Sequence, residues 1–152
     1  MSVIPESKLN WIKGLQKHAR AAQAVWKGMR AEVCLAQAAL ETAWGLRPID
    51  RYNLWGIKSL AWIPGSVEVV THEWCKETKS RIELKQRFAA FKDIEEAFNA
   101  YGRLLSNSPT YEEAREANTL EEYVNKLAKR WATDPEYAKK IMWIIKEAEL
   151  GP

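Results

Sequence analysis

The sequence predicts a mainly α chain (α+β) with one small β-hairpin, built as a single domain over residues 1–152. Three observations carry that prediction. Apolar residues recur at helical spacing through both outer parts of the chain. Two alternating runs, "SVEVVTHEW" and "RIELKQRF", flank the polar turn "KETKS", which is the pattern of a hairpin. The length, 152 residues, suits one core and one domain.

The elements follow in order. A first helix begins near Pro5, a residue well tolerated in a first turn, and runs to Trp26 with Leu9, Ile12, Leu15, Ala19 and Ala22 on one face. After a turn at Lys27-Gly28, a second helix is expected over "RAEVCLAQAALETAW", with Gly45 stopping it. Val33, Gln37, Leu40 and Trp44 share one stripe of this helix; Cys34, Ala38 and Glu41 share the next. Pro48, Gly56, Pro64 and Gly65 mark residues 46–66 as loop. On the first strand, Val67, Val69, Thr71 and Glu73 point one way and Glu68, Val70, His72 and Trp74 the other. Helices then return. Asp93 with Glu96, and Thr119 with Glu122, have the spacing of capping boxes, and "SPTYEEARE" between them reads as a short helix. The last helix is expected to open with Asp134 as N-cap and Pro135 in the first turn, with Ala138, Ile141, Ile145 and Ala148 as its apolar stripe.

Composition narrows the function classes. The chain is 47% hydrophobic and 28% charged, that of a soluble globular protein. No apolar run approaches the roughly 20 residues that span a membrane, so no membrane insertion is expected. The net charge of +3 is not gathered into a basic stripe, which argues against a nucleic-acid partner. "MSVIPESKLNW" has no apolar h-region and does not read as a secretory signal. Cys34 and Cys75 form no CxxC pair and read as two free buried thiols, with a disulfide between them as the alternative. With His18 and His72 they complete no metal pattern, so no metal and no cofactor are expected. Eight Trp are many for this length. Most belong to the core, yet indole faces are also preferred surfaces for stacking on sugars.

Two acids stand out. Glu41 lies on an otherwise apolar and small-residue helix segment, "ALETAWG". A carboxyl withdrawn from water has its charged form disfavoured and its pKa raised, as a general acid near neutral pH requires. The plain alternative is an exposed helix end, which the macrodipole disfavours for an acid. Glu73 lies near the end of the first strand. Alone it reads as a solvated strand charge. Facing Glu41 across a cleft, it would complete the pair of carboxyl groups that glycoside hydrolysis commonly uses.

Several stretches share a resemblance. "LAQAALETAWG" resembles the AQAxLExxWG motif of the glucosaminidase family that cleaves bacterial peptidoglycan, glycoside hydrolase family 73. "YNLWGIK" resembles the family's YNLFGIK motif, and "THEW" its T-x-E segment. "RFAAFKDIEEAFNAYGRLL" and "WATDPEYAKKI" resemble the family's following aromatic-rich stretch and its YATDPxYAxKL motif. The five blocks fall in the family's order and cover roughly residues 5 to 148.

The resemblance implies a lysozyme-like fold, a helical lobe plus a small β-hairpin lobe with a glycan cleft between them. It implies hydrolysis of the β-1,4 bond after N-acetylglucosamine in peptidoglycan. Glu41 matches the family's general acid and Glu73 its second acid. Trp44, Asn53, Trp55, Gly56, Thr71, Trp131 and Tyr137 are implied as substrate-binding positions. Trp131 stands where the family usually has the first Tyr of YATDP. Indole donates a hydrogen bond but cannot act as a phenol, so a role needing that hydroxyl is absent or moved, with Tyr101, Tyr111 and Tyr123 available. Trp55 replaces the usual Phe and keeps an aromatic wall.

Mechanism stays open at this level. A direct nucleophile needs carboxyl groups about 5 Å apart, and an inverting water roughly 6.5–9.5 Å. A third route uses the substrate's own N-acetyl oxygen. Inversion or substrate assistance is favoured. Other readings are a lytic transglycosylase, which needs one catalytic Glu, and a glycan-binding module without catalysis. The expected setting is the bacterial cell wall, reached by a phage endolysin through a membrane lesion or by a domain of a secreted autolysin. Met1 reads as the start of a complete chain, and a monomer is expected.

Overall fold

One helix organises the rest. α2 (Ala31–Glu41) is buried at every position from Ala31 to Ala39 in this computed structural model, which describes residues 3–151. Met1, the expected initiator, lies outside the described residues. The sequence suggested stripes on this helix; the structure surrounds it instead. Ala31, Ala36, Ala38 and Ala39 are small enough to let neighbouring helices approach closely, and the helix is buried all round although it carries two polar residues, Glu32 and Gln37. α1 (Glu6–Val25) packs on one flank of α2 and α6 (Tyr137–Glu147) on another. Behind them lie α3 (Ile94–Asn107) against α1, and α5 (Leu120–Trp131) against α6. A 3-10 turn (Pro109–Tyr111) and α4 (Glu112–Arg115) make up the short helical stretch between α3 and α5.

α1 buries the face that its periodicity marks: Ile12, Ala19 and Ala22 are enclosed, and Leu9 and Leu15 pack at the edge. Pro5 is its N-cap, with its carbonyl accepting from the amides of Lys8 and Leu9. Asp93 and Thr119 accept from the backbone N–H of Glu96 and Glu122, as expected for caps. The returning bonds differ from a standard capping box. Glu96 and Glu122 reach one residue further back, to the amides of Lys92 and Asn118.

Two helix boundaries depart from the sequence reading. α6 begins at Tyr137, because Asp134 caps a tight turn: its side chain accepts from Glu136 N at 2.9 Å and its carbonyl from Tyr137 N at 3.1 Å. α2 ends at Glu41 rather than Trp44. Thr42 Oγ1 donates to Ala38 O at 2.6 Å and accepts from Gly45 N at 2.7 Å, closing the helix end on itself. Ala43, Trp44 and Gly45 then follow with φ of 50°, 60° and 87°. A left-handed stretch of this kind breaks the helix, and the side-chain bonds of Thr42 hold it.

Gly45 also passes under the indole of Trp11. A Cβ there would lie 2.3 Å from Trp11 Nε1 and 2.6 Å from Cε2. Gly45→Ala therefore combines a positive φ with a clash against a packed ring. We expect a loss of roughly 2–3 kcal/mol, read as a lower urea midpoint. An unchanged midpoint would rule out this packing.

β1 (Gly65–Cys75) and β2 (Ser80–Ala90) form an antiparallel hairpin with Gly65 opposite Ala90 and Cys75 opposite Ser80. The faces alternate as expected: Val67, Val69 and Thr71 are half-buried, and Glu68, Val70 and His72 are exposed. The root is anchored by the buried Phe88 and Ala89, whereas the far end stands in solvent, with Trp74 64% exposed. Cys34 and Cys75 are free thiols, Cys34 buried in α2 and Cys75 at the hairpin tip. No helix among the described residues is long and apolar enough to cross a membrane.

Candidate active site

A cleft of about 700 Å³ opens between the end of α2, the start of α6, the loop that precedes the hairpin, and the hairpin itself from Phe88 out to Glu73. Glu41 and Glu73, far apart in sequence and on different element types, both line it. Glu41 is the last residue of α2. As a residue it is exposed at the helix end, the plain alternative raised by the sequence, and the cleft walls withdraw its carboxyl from water only in part. That desolvation raises its pKa, and a hydrogen bond from Tyr137 opposes the rise. The Tyr137 hydroxyl donates to Glu41 Oε1 at 3.0 Å.

Tyr137 is the first residue of α6 and is 4% exposed. Its own hydroxyl is held well above the usual tyrosine range, chiefly by burial and next by the Glu41 charge. It therefore stays a neutral donor. Its oxygen accepts from Gln37 Nε2 at 3.1 Å. Gln37 sits one turn before Glu41 on α2 and is fully enclosed. The phenol that reaches the candidate acid is thus the second aromatic of "WATDPEY", not a residue at position 131 and not Tyr111 or Tyr123. Trp131, at the end of α5, lines the cleft with its ring 6.0 Å from Tyr101 and 5.8 Å from Tyr111, centroid to centroid.

Glu73 stands on the hairpin wall opposite Ile82 in the strand register. Its Oε1 accepts from Gln86 Nε2 at 3.2 Å, and the same nitrogen donates to Thr71 Oγ1 at 2.9 Å. The Lys58 ammonium donates to Gln86 Oε1, and Lys58 lies over the Phe88 ring, 5.0 Å from its centroid. Lys58, Gln86 and Thr71 thus form a polar frame beside the second acid. Lys58 lines the cleft, whereas Thr71 braces Gln86 from behind. On the α6 side the cleft carries Asp134 and Lys140, paired at 2.7 Å.

The remaining positions divide. Trp55 is 1% exposed, donates through Nε1 to Cys34 O at 3.0 Å and packs edge-on to Phe98. It lines the floor of the cleft while its ring is held almost wholly in the core. Asn53 is fully buried, and its amide is engaged with main chain on every side. Nδ2 donates to Ile57 O and Ala89 O at 2.9 Å each; Oδ1 accepts from Ile57 N at 3.0 Å and Trp55 N at 3.4 Å. These bonds clamp the loop to the end of β2, and Gly56 takes the positive φ, 66°, that the clamp requires. Trp44 does not line the cleft. It borders an adjoining apolar groove with Leu40, Trp143 and Ile144, under the Lys8 ammonium at 5.8 Å.

Sequence reasoning missed Gln37, Lys58 and Gln86. Gln37 left one signal, a large polar residue on a helix of small apolar ones. Lys58 closes the quoted "YNLWGIK" block, a signal that went unused, whereas Gln86 left none that separates it from an ordinary surface residue. No group of three His, Cys, Asp or Glu side chains among the described residues is placed to hold a metal ion.

Known proteins resemble this chain in sequence and in fold. The family model for glucosaminidases, described as mannosyl-glycoprotein endo-beta-N-acetylglucosaminidase, matches residues 16–150. The peptidoglycan hydrolase FlgJ of Salmonella typhimurium is 35% identical over 128 residues, covering 79% of this chain and 40% of FlgJ. The chain thus spans less than half the length of that relative. Among solved structures, the glycoside hydrolase domain of Salmonella typhimurium FlgJ superposes with a TM-score of 0.72 at 31% identity, covering 95% of this chain and 99% of that one. The catalytic domain of the autolysin Auto from Listeria monocytogenes gives 0.78 at 26% identity, covering 99% and 89%. The lysozyme-like layout that the motifs implied, a helical lobe facing a small hairpin lobe, is the one observed.

Proposed function

Because this chain belongs to the glucosaminidase family of glycoside hydrolases, we propose that it is a peptidoglycan hydrolase cleaving the β-1,4 bond after N-acetylglucosamine, with Glu41 as general acid and Glu73 as second acid. The observation that carries this is the placement of Glu41: a carboxyl at the exposed end of α2, held by the hydroxyl of the buried Tyr137, that opens into a cleft also lined by Glu73. The relatives named for peptidoglycan hydrolysis support the substrate class.

In this reading a glycan strand lies along the cleft. Glu41 gives its proton to the glycosidic oxygen as the C1–O bond breaks, which neutralises the leaving alkoxide. On the opposite wall, Glu73 takes a proton from the incoming water, which adds to C1. Where the N-acetyl oxygen adds to C1 first, Glu73 supports the amide instead, and water opens the ring that forms. Lys58 and Gln86 keep the Glu73 side chain directed inward. The indole of Trp131 offers a flat face to a sugar ring. The site of action is the bacterial cell wall.

The test is digestion of purified sacculi followed by mass spectrometry of the products. Reducing N-acetylglucosamine ends are expected. 1,6-Anhydro ends would show a lytic transglycosylase, and binding without release of either product would show a glycan-binding module.

A further inference from the structure

Gln37 and Tyr101 lie behind the cleft, and neither lines it. Both are fully enclosed. Tyr101, from the middle of α3, donates its hydroxyl to Gln37 Oε1. Gln37 Nε2 donates to the Tyr137 oxygen at 3.1 Å, and Tyr137 donates to Glu41 Oε1 at 3.0 Å. Three helices thus contribute to one chain of hydrogen bonds that ends on the proposed acid.

The direction of that chain is fixed from its far end. A tyrosine hydroxyl has one hydrogen, and among the described residues Gln37 Oε1 is the acceptor it meets at Tyr101. Turning the Gln37 amide over would leave the enclosed Tyr101 O–H without an acceptor, which folded proteins avoid. The amide oxygen therefore faces Tyr101, and its NH₂ faces Tyr137. With its oxygen occupied by that N–H, Tyr137 has its single hydrogen directed at Glu41.

We infer that Gln37 and Tyr101 are positioning residues that act through Tyr137: by fixing the direction of its hydrogen bond, they commit Glu41 Oε1 to accepting and leave Oε2 as the oxygen that carries the proton for the glycan. This rests on Glu41 being the general acid. A side-chain network in a dry interior strengthens along its length, so a residue that no substrate touches can set the acid's behaviour. The other charged groups lining the cleft with Glu41 are Lys140 and Asp134 at the start of α6, Lys58 on the loop and Glu73 on β1. None of them bonds to Tyr101 or Gln37, so substitution at Tyr101 leaves them in place.

The test compares Tyr101→Phe, Tyr137→Phe and the double variant in the pH dependence of initial rates on purified sacculi. Phe at 101 keeps the ring packed on Trp55 and Trp131 and removes only the hydroxyl. Without it the Gln37 amide is free to turn and draw the Tyr137 hydrogen away. The ionised form of Glu41 then loses its donor, its pKa rises, and the alkaline limb of the profile moves to higher pH. We expect a shift of roughly half to one unit in Tyr101→Phe, a shift at least as large in Tyr137→Phe, and no further shift in the double variant. An unmoved limb in Tyr101→Phe, whatever the change in melting temperature, overturns the inference, as does an additive double variant.

A second measurement needs neither variant at 101 nor activity. In the wild-type chain, the Gln37 side-chain amide resonances should titrate with the midpoint of the Glu41 carboxyl, and should become flat in Glu41→Gln. Flat resonances in the wild type overturn the relay. If Glu41→Gln keeps its rate while the amide titrates, the relay stands and the assignment of the acid fails, so the two outcomes separate.

Discussion

Glu41→Gln is expected to lower the rate of glycan release from sacculi by roughly 10³-fold, within the range that general acid catalysis contributes. The amide keeps the shape of the side chain and its capacity to accept from Tyr137, so binding and fold survive while the transferable proton is lost. Glu73→Gln should cost less, roughly 10²-fold, because water and the substrate's own amide share the second role. Retention of more than about a tenth of the wild-type rate in Glu41→Gln would exclude it as the acid.

The same variant has a signature in stability. The carboxyl pKa of Glu41 is raised on folding, mainly by loss of water. A raised pKa means that the folded state binds this proton more tightly than the unfolded chain does. The contribution of Glu41 to stability is therefore present below its ordinary pKa of about 4.3, and it is lost as pH rises through the raised value. Glu41→Gln should accordingly melt higher than wild type at pH 7 to 8, with the difference vanishing near pH 4. A gain of equal size at both ends of that range would mean that the carboxyl is well hydrated.

Asn53→Ala is expected to destabilise the chain by roughly 3–5 kcal/mol, since it leaves several buried main-chain groups of Trp55, Ile57 and Ala89 without partners. Urea unfolding measures this directly. The residue borders the cleft, and its motif context suggested a sugar contact. The geometry gives it another task, tying the loop to β2 beneath the hairpin. Activity of Asn53→Ala should then fall in proportion to the folded fraction, with KM unchanged. A normal urea midpoint with a raised KM would return Asn53 to the substrate groove.

Local patterns announced the elements. Alternation at Val67, Val69 and Thr71 marks a hairpin because side chains on a strand alternate, and that rule needs no knowledge of the rest of the chain. Asp93 and Thr119 marked helix starts for the same local reason. Even there, the returning bonds of Glu96 and Glu122 went one residue past their expected target. The end of α2 misled because Ala43 is a strong helix former and Trp44 continues the apolar stripe; only the Thr42 bonds and the Trp11 ring against Gly45 turn the backbone away.

Motifs and periodicity alone mark a glucosaminidase-type chain with a helical lobe, a hairpin lobe and a carboxylate in an awkward place on α2. The motifs also draw attention to Trp131, where a phenol is missing. That the phenol beside Glu41 belongs to Tyr137, 96 residues away, and that Gln37 and Tyr101 stand behind it, follows from the packing of the helices. Periodicity reports which face of a helix is buried. Which hydroxyl meets which amide is set by how α2, α3 and α6 pack, because an enclosed polar group takes its partner from whatever element the fold brings within hydrogen-bond reach.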